Sequence, residues 1–273
     1  MNDQQSSGLS AKVRAALQGN RDLLRNAGSL AATTGLTSIL GFVFWWVAAR
    51  EFSKSEIGYG AAATNTIALL GTVGMFGLGT MMIGELPKRR ERGGLFSASL
   101  ITSAVGSLIL GFAFPLIAEA FHARVPEMDG TPRRLVIFAL GGMLTGATLV
   151  FDAGTSGMMR GGVQLWRNLA MSILKLAFLP LTAFMLHDEF GFGITISFVA
   201  GTGVSMIPAM VMLLRGGSKI WHRPDWPELR RLFRVALNHN WLNLAIVTPG
   251  RIIPVIVTLV VSPAANEIGR AHV

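Results

Sequence analysis

Four stretches of this chain, residues 26–49, 57–84, 93–118 and 190–214, contain no Asp, Glu, Lys or Arg. Each is longer than the roughly 18 residues that mark a membrane-span candidate. A backbone carried that far into hydrocarbon finds no water to bond, so it must satisfy its own amides as helix. Three further spans carry interior charge: 135–159 holds Asp152, 168–186 holds Lys175, and 236–261 holds Arg251. The chain therefore reads as an all-α, polytopic membrane helix bundle of about seven transmembrane helices. Composition agrees, because only 14% of the residues are charged and 51% are hydrophobic. A soluble domain carries about 25% charged residues, and this chain has too few to cover a water-facing surface.

The net charge of +9 suggests nucleic acid only until the basic residues are placed. They sit in loops between spans, where membrane topology accounts for them, so no nucleic-acid partner is expected. Cytoplasmic loops collect Lys and Arg. Lys12, Arg14, Arg21 and Arg25 precede span one; Lys88, Arg89, Arg90 and Arg92 follow span two; Arg160 and Arg167 follow span four. The loop after span six holds Arg215, Lys219, Arg223, Arg230, Arg231 and Arg234. The alternate loops hold few, so the N-terminus is expected in the cytoplasm. No cleavable signal is visible, and the first span is expected to stay in the protein. There is no cysteine, which excludes disulfides, thiolate metal sites and thiol catalysis. Neither a metal site nor a cofactor is expected.

Span one ends in "WWVAAREFSKSEIG". Paired indoles followed by Arg50-Glu51 suit an exit through the outer headgroup layer, and Arg50 is either an interfacial anchor or a ligand for an anionic headgroup. Between spans six and seven, Pro224 and Pro227 bracket a helix start. From Pro227 a basic amphipathic helix follows, with Leu229, Leu232, Phe233 and Ala236 on one face, of the kind that lies on an anionic membrane surface. Gly71, Gly74, Gly77 and Gly79 stud span two, and Gly142 and Gly146 form a GxxxG in span four. Small residues let helices approach closely in lipid, and local hinge flexibility is the alternative reading.

Charges inside the membrane are functional candidates by default. Asp152 precedes Arg160 by eight residues, and Lys175 follows Arg167 by eight. At 1.5 Å per residue both lie roughly 12 Å from the same short loop. An Asp152–Lys175 pair is expected on that depth, either as a structural lock or as an ion-coupling or gating element. Arg251 sits in "TPGRIIP". Pro249, Gly250 and Pro254 predict a break in the helix beside it, and a discontinuous helix next to a charge points to a transporter binding site. Arg251 suits bidentate phosphate recognition, and Asn240 and Asn243 on the same span add candidate polar contacts.

These features together resemble the polysaccharide-flippase branch of the multidrug/oligosaccharidyl-lipid/polysaccharide exporter superfamily. The matching stretches are "GFVFWWVAAREFSKSEIGYGAA", "GLGTMMIGELP", "GMMRGGVQLWRN" followed by "ILKLA", and "NHNWLNLAIVTPGRIIPVIVTLVVSPAAN". The resemblance implies two six-helix lobes around a central cavity, in the plasma (inner) membrane. It implies a non-enzymatic transporter that moves lipid-linked oligosaccharide, carried on polyprenyl pyrophosphate, between leaflets for cell-surface polysaccharide such as lipopolysaccharide. Membrane lipid and polysaccharide polymerase or chain-length machinery are the further partners it implies. Arg50, Arg251, Asn240 and Asn243 become the candidate substrate-binding residues. Two alternatives stand: a cation-coupled multidrug exporter of the same superfamily, for which Asp152 is the one deep acid, and a membrane-embedded enzyme of lipid-linked sugar metabolism.

The expected organisation is a cytoplasmic segment at 1–25, a first lobe at 26–214, an amphipathic linker at 215–235 and the first helix of a second lobe at 236–266. The last seven residues, "EIGRAHV", can be encoded as GAG ATC GGA AGA GCA CAC GTC. That string contains a common sequencing-adapter run whose next codon in this frame is a stop. Residues 267–273 are accordingly expected to be non-native, and the chain to be an inactive front part of a longer transporter.

Overall fold

A computed structural model describes residues 3–120, 132–186, 192–215 and 222–256. Among them all regular structure is helical: α1 (Asp3–Glu51), α2 (Lys54–Gly74), α3 (Leu78–Glu85), α4 (Gly93–Ala120), α5 (Pro132–Gly157), α6 (Gly161–Met185), α7 (Phe192–Arg215) and α8 (Trp226–Ile256). Five helices are long and apolar enough to cross a membrane, and α2 with the segment 78–88 passes the same test as a pair bent by 53°, making six where that pair counts as one span. These six coincide with the first six spans expected. The seventh, 236–261, begins within α8 and runs past the described residues, and the 267–273 tail lies outside them.

The turn between α1 and α2 is set by local chemistry. Ser53 and Glu56 form a reciprocal capping box: the Ser53 N–H donates to Glu56 Oε2 at 2.8 Å and the Glu56 N–H to Ser53 Oγ at 3.4 Å. That closes the otherwise unpaired amides at the start of α2 and folds the chain back within two residues of the end of α1.

Span two is broken at Phe76 and Gly77, whose φ values are 51° and 72°. Glycine meets the left-handed region at little cost. The bend is covered by α8. Phe76 packs on Phe233 with ring centroids 5.9 Å apart, and a Cβ at Gly77 would overlap the Ala236 carbonyl oxygen. The glycines of span two and the GxxxG of α5 act in packing: Ser107 of α4 fills a slot between Gly74 and Gly146.

Two expectations about α8 are corrected. The face carrying Leu229, Leu232 and Ala236 does not lie on lipid; it is buried in the main core with Leu78, Met82, Leu86 and Leu95. The helix also continues unbroken through Pro249 and Gly250 to Ile256. A proline removes one backbone bond and tilts the preceding turn, which a membrane helix tolerates. The discontinuity expected there lies instead in span two, against α8.

Charge fixes the surface end of α8. The Asp225 N–H donates to the Gly94 carbonyl at 3.0 Å, and the Asp225 carboxylate accepts from the Glu228 N–H at 3.1 Å. Glu228 pairs with Arg89, beyond α3, and with Arg231. The Arg231 hydrogen bond, with Arg89 adding to it, holds the Glu228 carboxyl below the usual glutamate range.

Two predictions follow from α8. Gly77→Ala costs at least about 1 kcal/mol from backbone strain and more from the clash, whereas Gly250→Ala, with open space around it, is neutral or stabilising; thermal unfolding in detergent compares them. A depressed carboxyl pKa gives stability that is complete above the ordinary value of 4.5 and is lost as pH falls through the folded-state value. Hydrogen-exchange protection of residues 226–236 should therefore fall on acidification, and Glu228→Gln should flatten that dependence.

Candidate functional site

Polar side chains converge where α8 crosses span two. Arg251 Nη1 donates to Asn65 Oδ1 at 3.3 Å. Asn65 is buried, and its own Nδ2 donates to the Ala61 carbonyl at 2.8 Å. That second bond fixes the amide's orientation and turns its oxygen toward the guanidinium. Asn65 lies eleven residues into α2 from Lys54, about 16 Å along the helix, so the contact is deep in the span. As a residue Arg251 is exposed. Asn243 Nδ2 donates to Thr80 Oγ1 of α3 at 2.9 Å. Asn240 is buried beside Gly77, and its Oδ1 has no partner among the described residues. Arg251, Asn240 and Asn243 thus share one face of α8, turned toward the bent span.

Arg50 stands apart from this group. It is exposed at the end of α1, with its guanidinium 3.7 Å from the centre of the Trp46 ring. Helix α1 packs chiefly on α6, whereas α8 packs on α2 and α3. The arrangement suits a flat cation held at the end of a span by an aromatic face.

Asp152 is paired, but with Arg167. Arg167 Nε donates to Oδ1 at 2.7 Å and Nη2 to Oδ2 at 2.6 Å. Asn168 Nδ2 adds a third donor to Oδ2 at 2.9 Å. Arg167 is only 3% exposed. The expected Asp152–Lys175 pair is therefore corrected. Equal depth does not imply facing sides: beyond their shared turn α6 leans on α1 and α7 rather than on α5. The Lys175 ammonium lies 5.1 Å from the Phe44 ring, and its backbone packs on Gly201. Arg167, six residues into α6, is level with Asp152, five residues from the end of α5.

Asn65 and Thr80 carry no assignment from the sequence, and Arg167, expected in the loop after span four, is instead buried within α6. Arg167 had a signal, an arginine within one long side chain's reach of a buried acid across a tight turn. Asn65 had a weaker one, an amide inside a span of otherwise small and apolar residues.

A family model described as polysaccharide biosynthesis protein matches residues 23–269. No curated protein and no solved structure matches the chain.

Removing one partner of a buried ion pair costs about 3–5 kcal/mol, while replacing both by apolar residues of similar volume is often neutral. Asp152→Leu and Arg167→Met should each lower thermal stability sharply, and the double variant should recover most of the loss. A cycle of Asp152→Leu with Lys175→Met should be additive. Coupling in the second cycle and none in the first would reverse the assignment.

Proposed function

We propose that this chain, which belongs to the polysaccharide biosynthesis protein family, is part of a flippase that carries lipid-pyrophosphate-linked oligosaccharide across the plasma membrane for cell-surface polysaccharide synthesis. The observation that carries this reading is Arg251, an exposed residue whose guanidinium is held by Asn65 deep in the span. An arginine at mid-span costs about 2.5–3.5 kcal/mol on insertion scales, a cost that an anionic ligand offsets. A sugar-pyrophosphate head cannot cross hydrocarbon with its polar groups unsatisfied. A guanidinium matches phosphate oxygens two at a time. In this reading Arg251 meets the pyrophosphate mid-passage, Asn240 and Asn243 add polar contacts along the same helix, and Arg50 on Trp46 receives the head at the outer interface. The polyprenyl tail stays in the bilayer throughout.

The transport is non-enzymatic, and the N-terminus lies in the cytoplasm on the distribution of basic loops. Polymerase or chain-length machinery would take up the delivered sugar. A cation-coupled drug exporter is the second reading, because Asp152 is a deep acid. Three donors from Arg167 and Asn168 already occupy that carboxylate, which favours the flippase. Asp152 and Arg167 then lock spans four and five together, and Lys175, cushioned on Phe44, is the cation left for gating.

The test is binding of polyprenyl pyrophosphate to the chain in nanodiscs, read by native mass spectrometry against polyprenol. Hydrogen bonds to charged groups contribute about 1.5–3 kcal/mol, so Arg251→Ala should weaken pyrophosphate binding about tenfold or more. Arg251→Lys should recover part of the loss. Equal binding by wild type, Arg251→Ala and Arg50→Ala, or equal retention of polyprenol, would defeat the proposal.

A further inference from the structure

A cleft of about 490 Å³ opens between α1, the end of the bent span, α5 and α6. It lies within the first six spans, away from the Arg251 contact. Asp152, Ser156, Gln164 and Asn26 supply its polar lining, and Leu30, Ile83 and Leu149 are among its apolar walls. Its volume falls in the 300–1,000 Å³ range of small-molecule sites, as does the combination of apolar walls with a few placed polar groups.

The polar groups define the ligand. An ionised carboxylate has about four lone-pair positions, and Asp152 uses three, one on Oδ1 and two on Oδ2. One acceptor position therefore remains on Oδ1. Ser156 Oγ donates to Gln164 Oε1 at 2.5 Å, which leaves the Ser156 oxygen as an acceptor and the Gln164 amide nitrogen as a donor. Asn26 accepts from the Gly161 N–H at 2.8 Å, which pins its side chain at the rim. The Asp152–Arg167 pair is neutral as a unit. A phosphate would face carboxylate oxygen with the arginine already engaged. A metal ion would need several anionic oxygens and would find one carboxylate shared with arginine. Groups that both donate and accept, set side by side on carbon, fit the alternation of acceptors and donors. Sugar hydroxyls are such groups.

We propose that this cleft binds the uncharged, polyhydroxylated head of a glycolipid, with Asp152, Ser156 and Gln164 contacting hydroxyls while Leu30 and Leu149 contact the ring's C–H faces. Asn26 opens the first candidate span, and Pro87 and Met159 lie just beyond the ends of α3 and α5, so a head can enter from the lipid headgroup layer on the side of the N-terminal segment. The natural ligand, a lipid-linked sugar, rests on the flippase reading; the binding chemistry of the cleft does not.

The probe is an octyl glucoside carrying a diazirine on its chain, used below its micellar concentration with the whole chain in phospholipid nanodiscs. Peptide mapping by mass spectrometry should place the label near Leu30, Leu149 and Met159. Excess unlabelled octyl glucoside should remove it, and octyl phosphate should not. Gln164→Leu should require about tenfold more octyl glucoside to compete, the loss of a hydrogen-bonding side chain. Ser156→Ala, a smaller change, should give a shift in the same direction and serves if Gln164→Leu fails to fold. The proposal is overturned if label spreads evenly over exposed apolar positions such as Phe184 and Ile246, if octyl phosphate competes equally, or if both folded variants match wild type. No pyrophosphate or transport step enters the measurement, so it succeeds or fails independently of Arg251.

Discussion

Hydrocarbon offers a backbone no partners, and that constraint organises the structure. Where span two bends, the chain keeps its amides bonded within the turn: Met75 N–H to the Gly71 carbonyl at 2.9 Å, Phe76 N–H to Val73 at 3.0 Å and Leu78 N–H to Met75 at 2.9 Å. Such a bend survives at membrane depth only where protein covers it. Helix α8 is the cover. Its Ala236 carbonyl meets Gly77 directly, Phe233 backs Phe76, and Asn243 reaches Thr80 just beyond the break. Helix α8 is thus packed directly on the bent span.

The spans were legible because hydrophobic length is a one-dimensional property. The first six emerged close to their structural positions, and the bundle class followed from them. What could not be read from length was rotation about each axis. Depth along α5 and α6 put Lys175 level with Asp152, but the side of the helix that a residue faces depends on tertiary packing. The amphipathic period of 229–236 correctly marked an apolar face, but period alone does not distinguish lipid from protein as its cover. Pro249 and Gly250 predicted a break that the structure places at Phe76–Gly77. Loss of one hydrogen bond bends a helix, whereas consecutive residues at positive φ redirect the chain. The Ser53–Glu56 capping box stands openly in "SKSE" and shows how much of a tight turn can be local.

The charged side chains within the bundle are accommodated in three different ways. Asp152 and Arg167 neutralise each other with bidentate geometry. Lys175 and Arg50 lie against aromatic faces, Phe44 and Trp46, whose quadrupoles attract a cation at modest energy. Among the described residues, Arg251 has the dipole of one amide. The three arrangements differ in what they leave unspent: the ion pair is nearly saturated, whereas the guanidinium on Asn65 still has donors to offer. That difference is why the pair stiffens the bundle while Arg251 keeps donors unused among the described residues.

Helix α8 runs without interruption from the charged cluster at Glu228 to Arg251, about 35 Å along its axis. A continuous helix of that length ties its ends together. With the Gly77 contact at Ala236 and Asn240 near the middle, a pivot there that carries Arg251 away from Asn65 also displaces the Glu228–Arg89 contact, and the place where such a motion can be absorbed is the turn before Pro249.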